Sequence, residues 1–180
     1  MNYATIKPRD IANGPGVRVS LFVSGCTRQC KDCFNREAWD FHYGEPFTQE
    51  TIDYIIDELR PSYMTGLTVL GGEPFEPQNQ PGVLELVRQV RKALPDKTIW
   101  AFSGYTLDGY MLPGKLGPKE ITMELLSYLD VLVDGPFIAE RKDLSLRFRG
   151  SSNQRLIDVK KTLETGQIVL WEDWQTQERK

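Results

Sequence analysis

The sequence predicts an α/β protein with a mostly parallel sheet, in a single domain that covers residues 1–180. Short runs rich in β-branched and apolar residues alternate with segments whose apolar residues recur at helical spacing. This alternation is typical of β/α units, in which helices pack on the sheet between successive strands. A length of 180 residues suits one domain with a sizeable core, and no repeat or linker-like stretch divides the chain.

Six segments are predicted as strands and three as helices. The strands are expected at 17–23, 67–70, 98–102 and 131–133, with further candidates at 156–159 and 168–170. The helices are expected at 48–59, 83–94 and 120–129. Thr48 is the predicted N-cap of the first helix, and Pro61 ends it. The segment 105–119 is expected to form an irregular loop or short helix, and 138–152 a charged surface loop.

Composition and charge are those of a globular protein that binds neither nucleic acid nor a membrane. Apolar residues make up 40% of the chain and charged residues 26%, and the formal net charge is −3. A negative net charge gives no bulk attraction to nucleic acid. No stretch approaches the roughly 20 apolar residues of a membrane span, and the N-terminus lacks the features of a secretory signal. We therefore expect a cytoplasmic protein whose thiols stay reduced.

All three cysteines fall in one short segment, in a C-x3-C-x2-C pattern formed by Cys26, Cys30 and Cys33. Three thiolates would hold three irons of a cubane cluster that normally takes four cysteines, which leaves one iron open for a small molecule. A zinc site would need a fourth ligand, for which the only histidine, His42, would have to fold back. Three buried free thiols on one helical face are a further alternative.

Polar residues and glycines follow the predicted strands at the points where they end. The cysteines follow 17–23, and Gly71-Gly72-Glu73-Pro74 follows 67–70. Ser103 and Asp134 follow the next two strands. Active sites form at the carboxyl edge of parallel sheets, so these residues are expected to meet there. Structural explanations also exist, because Gly-Gly-Glu-Pro can be a simple turn and Ser103 and Asp134 can cap helices.

The cysteine pattern and the Gly-Gly-Glu-Pro motif, each after a predicted strand, together resemble the radical S-adenosylmethionine (SAM) superfamily. The resemblance extends to the small activating enzymes of glycyl radical proteins and covers nearly the whole chain. The motifs that carry this closer resemblance are Asn13-Gly14-Pro15-Gly16-Val17-Arg18, Ser24-Gly25-Cys26, Cys33-Phe34-Asn35, Trp100-Ala101-Phe102-Ser103-Gly104-Tyr105, Asp134-Gly135-Pro136-Phe137 and Gly150-Ser151-Ser152-Asn153-Gln154-Arg155.

The resemblance implies a partial, open β/α barrel and a [4Fe–4S] cluster held by Cys26, Cys30 and Cys33. SAM would bind the fourth iron through its amino and carboxylate groups. Reduction would cleave SAM to methionine and a 5′-deoxyadenosyl radical, which would take a hydrogen atom from a glycine. The implied partner is the large subunit of anaerobic ribonucleoside-triphosphate reductase, with a low-potential electron donor of the flavodoxin or ferredoxin type.

Seven further residues are candidates for contact with SAM or the cluster. Glu73 can accept hydrogen bonds from the ammonium of SAM, in a charge-assisted interaction. Gly71 and Gly72 would let the backbone approach the ligand closely. Ser103 and Asp134 are candidates for hydrogen bonds to the ribose or carboxylate of SAM. The backbone of Asp32 would contact adenine, and Phe34 would provide apolar cover for the cluster.

Other functions remain open at this point. A radical SAM enzyme that acts on a small molecule, or on a different glycyl radical enzyme, would carry the same motifs. An electron carrier with an iron–sulfur cluster would need neither Gly-Gly-Glu-Pro nor an open iron. The aromatic stretch 39–43 and the loop 138–152 are candidate rims for a protein partner. Trp171 and Trp174 are expected either to pack the last element onto the sheet or to form an exposed patch.

Overall fold

The computed structural model describes residues 1–172, which contain one seven-stranded sheet. The strands are β1 (Asn2–Asp10), β2 (Val17–Val23), β3 (Glu45–Pro46), β4 (Met64–Gly71), β5 (Thr98–Ser103), β6 (Val131–Asp134) and β7 (Arg155–Asp158). Across the sheet they follow the order β3-β1-β2-β4-β5-β6-β7. The four central strands, β2, β4, β5 and β6, run parallel, whereas β1, β3 and β7 are antiparallel to their neighbours. The predicted α/β class with a mostly parallel centre is confirmed.

Helices bury their apolar stripes against the main core. They are α1 (Gln49–Leu59), α2 (Gln80–Ala93), α3 (Lys119–Tyr128) and α4 (Val159–Thr165), with a π-helical turn at Leu107–Met111 and 3-10 turns at Arg36–Trp39 and Ala139–Arg141. Ile52, Ile55 and Leu59 recur on one face of α1 and are buried. Val19 and Leu21 of β2 belong to the same core, because alternate strand residues point to the same face of a sheet.

The register of the parallel strands aligns their carboxyl ends. Val23 pairs with Gly71 across β2 and β4, and Ser103 pairs with Asp134 across β5 and β6. Each chain segment that leaves one of these strands therefore starts at the same edge of the sheet. This edge carries the cysteine segment, the Gly-Gly-Glu-Pro motif, Ser103 and Asp134.

Several elements differ from those predicted, and β3 and α4 were not predicted at all. β1 was not predicted either, because Pro8 inside a short run argues against a strand. The pairing of β1 with β2 shifts register between Lys7 and Asp10. The predicted strand at 168–170 is wrong, since only one isolated bridge joins Leu170 to Ile157. Asp158 ends β7 and caps α4 by accepting a hydrogen bond from the Lys161 N–H, so the observed strand begins and ends one residue before the predicted 156–159.

A smaller apolar cluster covers the other face of the sheet around Trp100. Phe148 and Trp171 pack edge-on against the Trp100 ring, with centroid distances of 5.5 and 4.9 Å. Trp171 therefore packs the end of the described chain onto the sheet, while Trp174 lies outside the described residues. No helix among residues 1–172 is both long and apolar enough to cross a bilayer.

Candidate active site

The cysteines lie on an irregular segment, residues 24–35, which we call the cysteine loop. It contains neither helix nor strand, so the alternative of three thiols on one helical face is wrong. Gly25, the second residue of the loop, has a φ of +99°, and a Cβ there would overlap the ring of Phe41. The Gly25 N–H donates to the Ala38 carbonyl at 2.8 Å, which closes the loop back onto the following turn.

The three thiols are free and each is partly exposed. Burial raises the pKa of Cys26 to about 11, so this thiol needs a cation such as iron to hold it as the thiolate. Among the described residues, no three His, Cys, Asp or Glu side chains converge where a single ion would bind. In a cubane each cysteine binds a different iron, so its three ligands need not converge on one point.

Glu73 is buried at the edge of the sheet and accepts three hydrogen bonds. Its Oε1 accepts from the Phe75 N–H at 3.0 Å and from the Ser103 hydroxyl at 2.8 Å. Its Oε2 accepts from the Gly104 N–H at 2.7 Å. Burial raises the pKa of Glu73 to about 7, although these hydrogen bonds act in the opposite direction. A cationic group beside this carboxylate would favour its ionised form.

Gly71 and Gly72 allow the strand end to approach protein backbone closely. Gly71 has a φ of +110°, and a Cβ there would lie 2.7 Å from the backbone of Phe22 and Val23. A Cβ on Gly72 would lie 2.6 Å from the Gly25 carbonyl oxygen. Contacts within the chain therefore explain both glycines, and their predicted approach to a ligand stays a prediction.

Ser103 and Asp134 lie at the same edge, each with protein partners. The Ser103 hydroxyl bridges Glu73 and the Tyr105 N–H, at 2.8 and 3.0 Å, and so holds the carboxylate in place. Asp134 is buried, and both its oxygens accept from Arg155, at 2.8 and 2.6 Å. Its Oδ2 also accepts from the Leu107 N–H at 2.8 Å. Direct contact of either side chain with SAM stays a prediction.

Asp32 and Phe34 lie on the exposed part of the cysteine loop. Asp32 adopts a φ of +59°, and its carboxylate lies 3.8 Å from the Arg36 guanidinium. The Phe34 side chain is 87% exposed. In this structure the ring therefore stands in solvent, and its predicted role as apolar cover for the cluster stays a prediction, as does the contact of the Asp32 backbone with adenine.

A second buried carboxylate, Glu76, was not predicted as a site residue. Its Oε1 accepts from the N–H and the hydroxyl of Thr27, at 2.8 and 2.6 Å. The Tyr105 hydroxyl donates to the same oxygen at 3.4 Å. Because Thr27 follows Cys26 directly, Glu76 ties the cysteine loop to the turn after β4. The signal in the sequence was a second glutamate three residues after Glu73.

The donor set fits an iron–sulfur cluster with an amino-acid ligand beside it. Three free thiols share one loop, and Thr27 of that loop is hydrogen-bonded to the turn that contains the buried Glu73. Buried polar atoms without a hydrogen-bond partner among the described residues include the Arg28 Nε and the Asn79 Oδ1. Such atoms at a sheet edge are typical of a site that is completed by a bound group.

Fold and site together define an iron–sulfur protein of the α/β class. The family model described as "4Fe-4S single cluster domain" matches residues 12–157, which include all three cysteines. The match confirms the iron–sulfur assignment at the level of the domain. It extends from the segment before β2 through β6 to β7, so it covers the whole parallel part of the sheet.

Comparison with curated proteins narrows this class. The chain is 46% identical to a protein of Vibrio cholerae serotype O1, over 86% of this chain and 96% of the relative. It is 43% identical to a protein of Escherichia coli strain K12 over the same shares, and 40% identical to one of Enterobacteria phage T4 over 87% and 93%. All three are named anaerobic ribonucleoside-triphosphate reductase-activating protein. This chain belongs to that family, which confirms the resemblance seen in the sequence motifs.

Proposed function

We propose that this protein activates an anaerobic ribonucleoside-triphosphate reductase by forming a glycyl radical on it. A [4Fe–4S] cluster held by the three cysteines would supply the electron that cleaves SAM to methionine and a 5′-deoxyadenosyl group, and hydrogen abstraction from a glycine of the reductase would follow. The observation that carries the proposal is the hydrogen-bonded contact between the three-cysteine loop and the Gly-Gly-Glu-Pro turn, in a chain that belongs to this family.

Cys26, Cys30 and Cys33 would hold the cluster, and the fourth iron would remain open for SAM. The turn after β4 docks on the start of the cysteine loop through backbone bonds: the Glu73 N–H donates to the Gly25 carbonyl at 2.8 Å. The Asn79 amide donates to the Ser24 and Glu73 carbonyls, at 3.0 and 2.9 Å. These bonds fix the spacing between the cluster ligands and Glu73.

Glu73 would bind the ammonium of SAM. Its carboxylate is only 1% exposed and faces three hydrogen-bond donors but no cation among its described hydrogen-bond partners. A bound ammonium would bring a positive charge into this poorly solvated place, where a charge-assisted bond is strong. Ser103 orients the carboxylate, Gly72 lets this turn lie close to the cysteine loop, and Gly71 lets it lie close to the end of β2.

The broader arrangement follows the same proposal. The parallel strands would curve into a partial, open barrel within a single domain, with the active edge accessible to a polypeptide loop of the reductase. Asp134, the Asp32 backbone and Phe34 would contribute contacts around SAM and the cluster. A low-potential donor of the flavodoxin or ferredoxin type would reduce the cluster in the cytoplasm, without nucleic acid or membrane as a partner.

Electron paramagnetic resonance tests this function directly. The protein, reconstituted anaerobically with iron and sulfide, is mixed with SAM, a reductant and the reductase, and a glycyl radical signal is expected on the reductase. The Cys30→Ala variant serves as the matched control and should give no signal. SAM cleavage without a radical on the reductase would indicate a small-molecule substrate or another glycyl radical enzyme. If no 5′-deoxyadenosine forms, the protein does not cleave SAM, and the remaining alternative is an electron carrier with an iron–sulfur cluster.

A further inference from the structure

Arg28 lies between two of the proposed cluster ligands, and its side chain reaches the end of β5. Its guanidinium stacks on the ring of Tyr105, with the guanidinium carbon 4.6 Å from the ring centroid, and lies 6.0 Å from that of Tyr110. Aromatic faces attract a cation and hold it in place, but they do not neutralise its charge. This cation is therefore held at the active edge, and no anion of residues 1–172 takes part in the stack.

The Arg28 side chain also lies against Gly104. A Cβ built on Gly104 would be 2.7 Å from the Arg28 Nε and 3.5 Å from the Glu73 Oε2. The Arg28 side chain therefore occupies the position that a side chain on residue 104 would take, which brings its Nε and the Glu73 carboxylate to the same point beside Gly104. No ion pair between Arg28 and Glu73 is present among the described residues, and the buried Nε has no hydrogen-bond partner there.

Two opposite charges that lie close together without forming an ion pair match an amino acid in its zwitterionic form. An α-amino acid carries its ammonium and its carboxylate on the same carbon, so both ends need partners close together. Glu73 already provides the acceptor for an ammonium. A guanidinium binds carboxylates through a planar set of N–H donors, which makes arginine the preferred residue for this anion.

We propose that Arg28 binds the carboxylate of the methionine part of SAM, opposite Glu73. The assignment rests on the proposed function, and it adds a recognition residue within the cysteine loop itself. Arg28 then links binding of SAM to the position of the loop, because the same side chain contacts the ligand, Tyr105 and Gly104. The stacked guanidinium would need little rearrangement to accept the carboxylate, which keeps the entropic cost of binding low.

The competing explanation is that Arg28 only packs the loop onto β5 through its stacking on Tyr105. A comparison of two ligands separates the two roles. SAM carries the carboxylate, whereas decarboxylated SAM keeps the ammonium, the sulfonium and the adenosyl group. Equilibrium binding of each ligand is measured with anaerobically reconstituted protein at matched iron content, for the unsubstituted protein and for Arg28→Met.

Arg28→Met is expected to lower the affinity for SAM about ten- to hundredfold while changing that for decarboxylated SAM by less than about threefold. Arg28→Lys, which keeps the charge, should restore part of the affinity for SAM. Lys31→Met is the matched control: it removes a charge from the same loop, but the Lys31 side chain is 77% exposed and its ammonium lies 3.5 Å from a carboxylate oxygen of Glu140. It should change neither affinity by more than about twofold.

Equal losses for the two ligands, or an unchanged affinity for SAM, would overturn the assignment of Arg28 and leave the proposed function intact. If the unsubstituted protein bound no SAM at all, the proposed function would fail and this assignment with it. Loss of selectivity for SAM over decarboxylated SAM in Arg28→Met alone supports both.

Discussion

The turn after β4 and the cysteine loop lie side by side at the sheet edge, yet they differ in how they are held. In the turn, residues 71–79, Glu73 accepts three hydrogen bonds and is 1% exposed, and Asn79 is fully buried. In the loop, the cysteines are partly exposed and Phe34 is 87% exposed. Ser24, Gly25 and Cys26 are tied down by hydrogen bonds, and beyond Cys26 the main attachment of the loop is Thr27, through Glu76.

The two regions therefore differ in what holds them in an ordered conformation. The turn is organised by the protein alone, so the groups proposed for SAM are in place before any ligand arrives. Residues 28–35 of the loop have few hydrogen bonds, and metal binding would supply much of the free energy that orders them. Changes in the loop should therefore affect the metal more than the fold, and changes in the turn should affect both the ligand and the fold.

The largest effect is expected from the cysteines. Cys26→Ala, Cys30→Ala and Cys33→Ala should each lose the visible absorbance of the cluster and most of the roughly four irons and four sulfides. The free energy of unfolding of the metal-free protein should change by less than about 1 kcal/mol for Cys30 and Cys33, because both lie outside the core. Iron analysis and urea unfolding measure the two effects.

Asp32→Asn provides the control for the cysteine variants. Asp32 occupies the same loop, its side chain is exposed, and asparagine tolerates its positive φ. Iron content should stay at the level of the unsubstituted protein. A cysteine variant with full iron content and SAM cleavage would show that the thiol is not a cluster ligand.

The next largest effect is expected at Glu73, and it should appear in ligand binding. Glu73→Gln should weaken SAM binding about ten- to hundredfold with nearly full iron content, because one charge-assisted bond is lost away from the iron. It should also destabilise the metal-free protein by about 1–3 kcal/mol, since the amide group would face an N–H donor of Phe75 or Gly104. Titration calorimetry and urea unfolding check these values.

Glu164→Gln serves as the matched control for this variant. Glu164 is exposed on α4, so its substitution should change neither SAM affinity nor stability by a measurable amount. Unchanged SAM affinity in Glu73→Gln, together with lower stability, would make Glu73 a turn residue only.

The raised pKa of Glu73 predicts a pH dependence of the metal-free protein. Between about 4.5, the ordinary value, and about 7, the folded protein binds more protons at this group than the unfolded chain does. The contribution of Glu73 to stability therefore falls as the pH rises through this window and is constant above it. The stability advantage of the unsubstituted protein over Glu73→Gln should shrink from pH 5 to pH 7. A difference in free energy of unfolding between the two proteins that stays constant from pH 5 to pH 7 would contradict the raised pKa.

The sequence predicted the centre of the fold well because β2, β4, β5 and β6 are short apolar runs with strong strand preference. Parallel pairing then brings the ends of these strands together, which is why the edge could be predicted without the structure. Glu76 could not, because its role depends on contact with Thr27, which is 49 residues away in the chain. β1 was not predicted because of Pro8: a proline at an irregularity in strand pairing cannot be told from the sequence apart from a proline that ends a strand.

A smaller effect is expected where the two regions meet, at Thr27. Thr27→Val removes the hydroxyl that donates to Glu76 at 2.6 Å but keeps the backbone N–H bond at 2.8 Å. Loss of one hydrogen bond, about 1 kcal/mol, should speed transfer of iron to a chelator about fivefold without lowering the initial iron content. Thr165→Val, whose hydroxyl donates to the Lys161 carbonyl in α4, is the control and should not change the rate. Equal rates in both variants would mean that Glu76 does not hold the loop.

The smallest effect is expected from Phe34, where the comparison between the regions is sharpest. A ring that is 87% exposed contributes little to folding, so Phe34→Ala should change the free energy of unfolding by less than about 0.5 kcal/mol. If the ring also remains in solvent once iron is bound, the half-life of the cluster absorbance in air should be unchanged. A markedly shorter half-life in Phe34→Ala would show that the cluster draws the ring over itself. Metal binding would then order the packing of the loop, whereas the neighbouring turn is packed without metal.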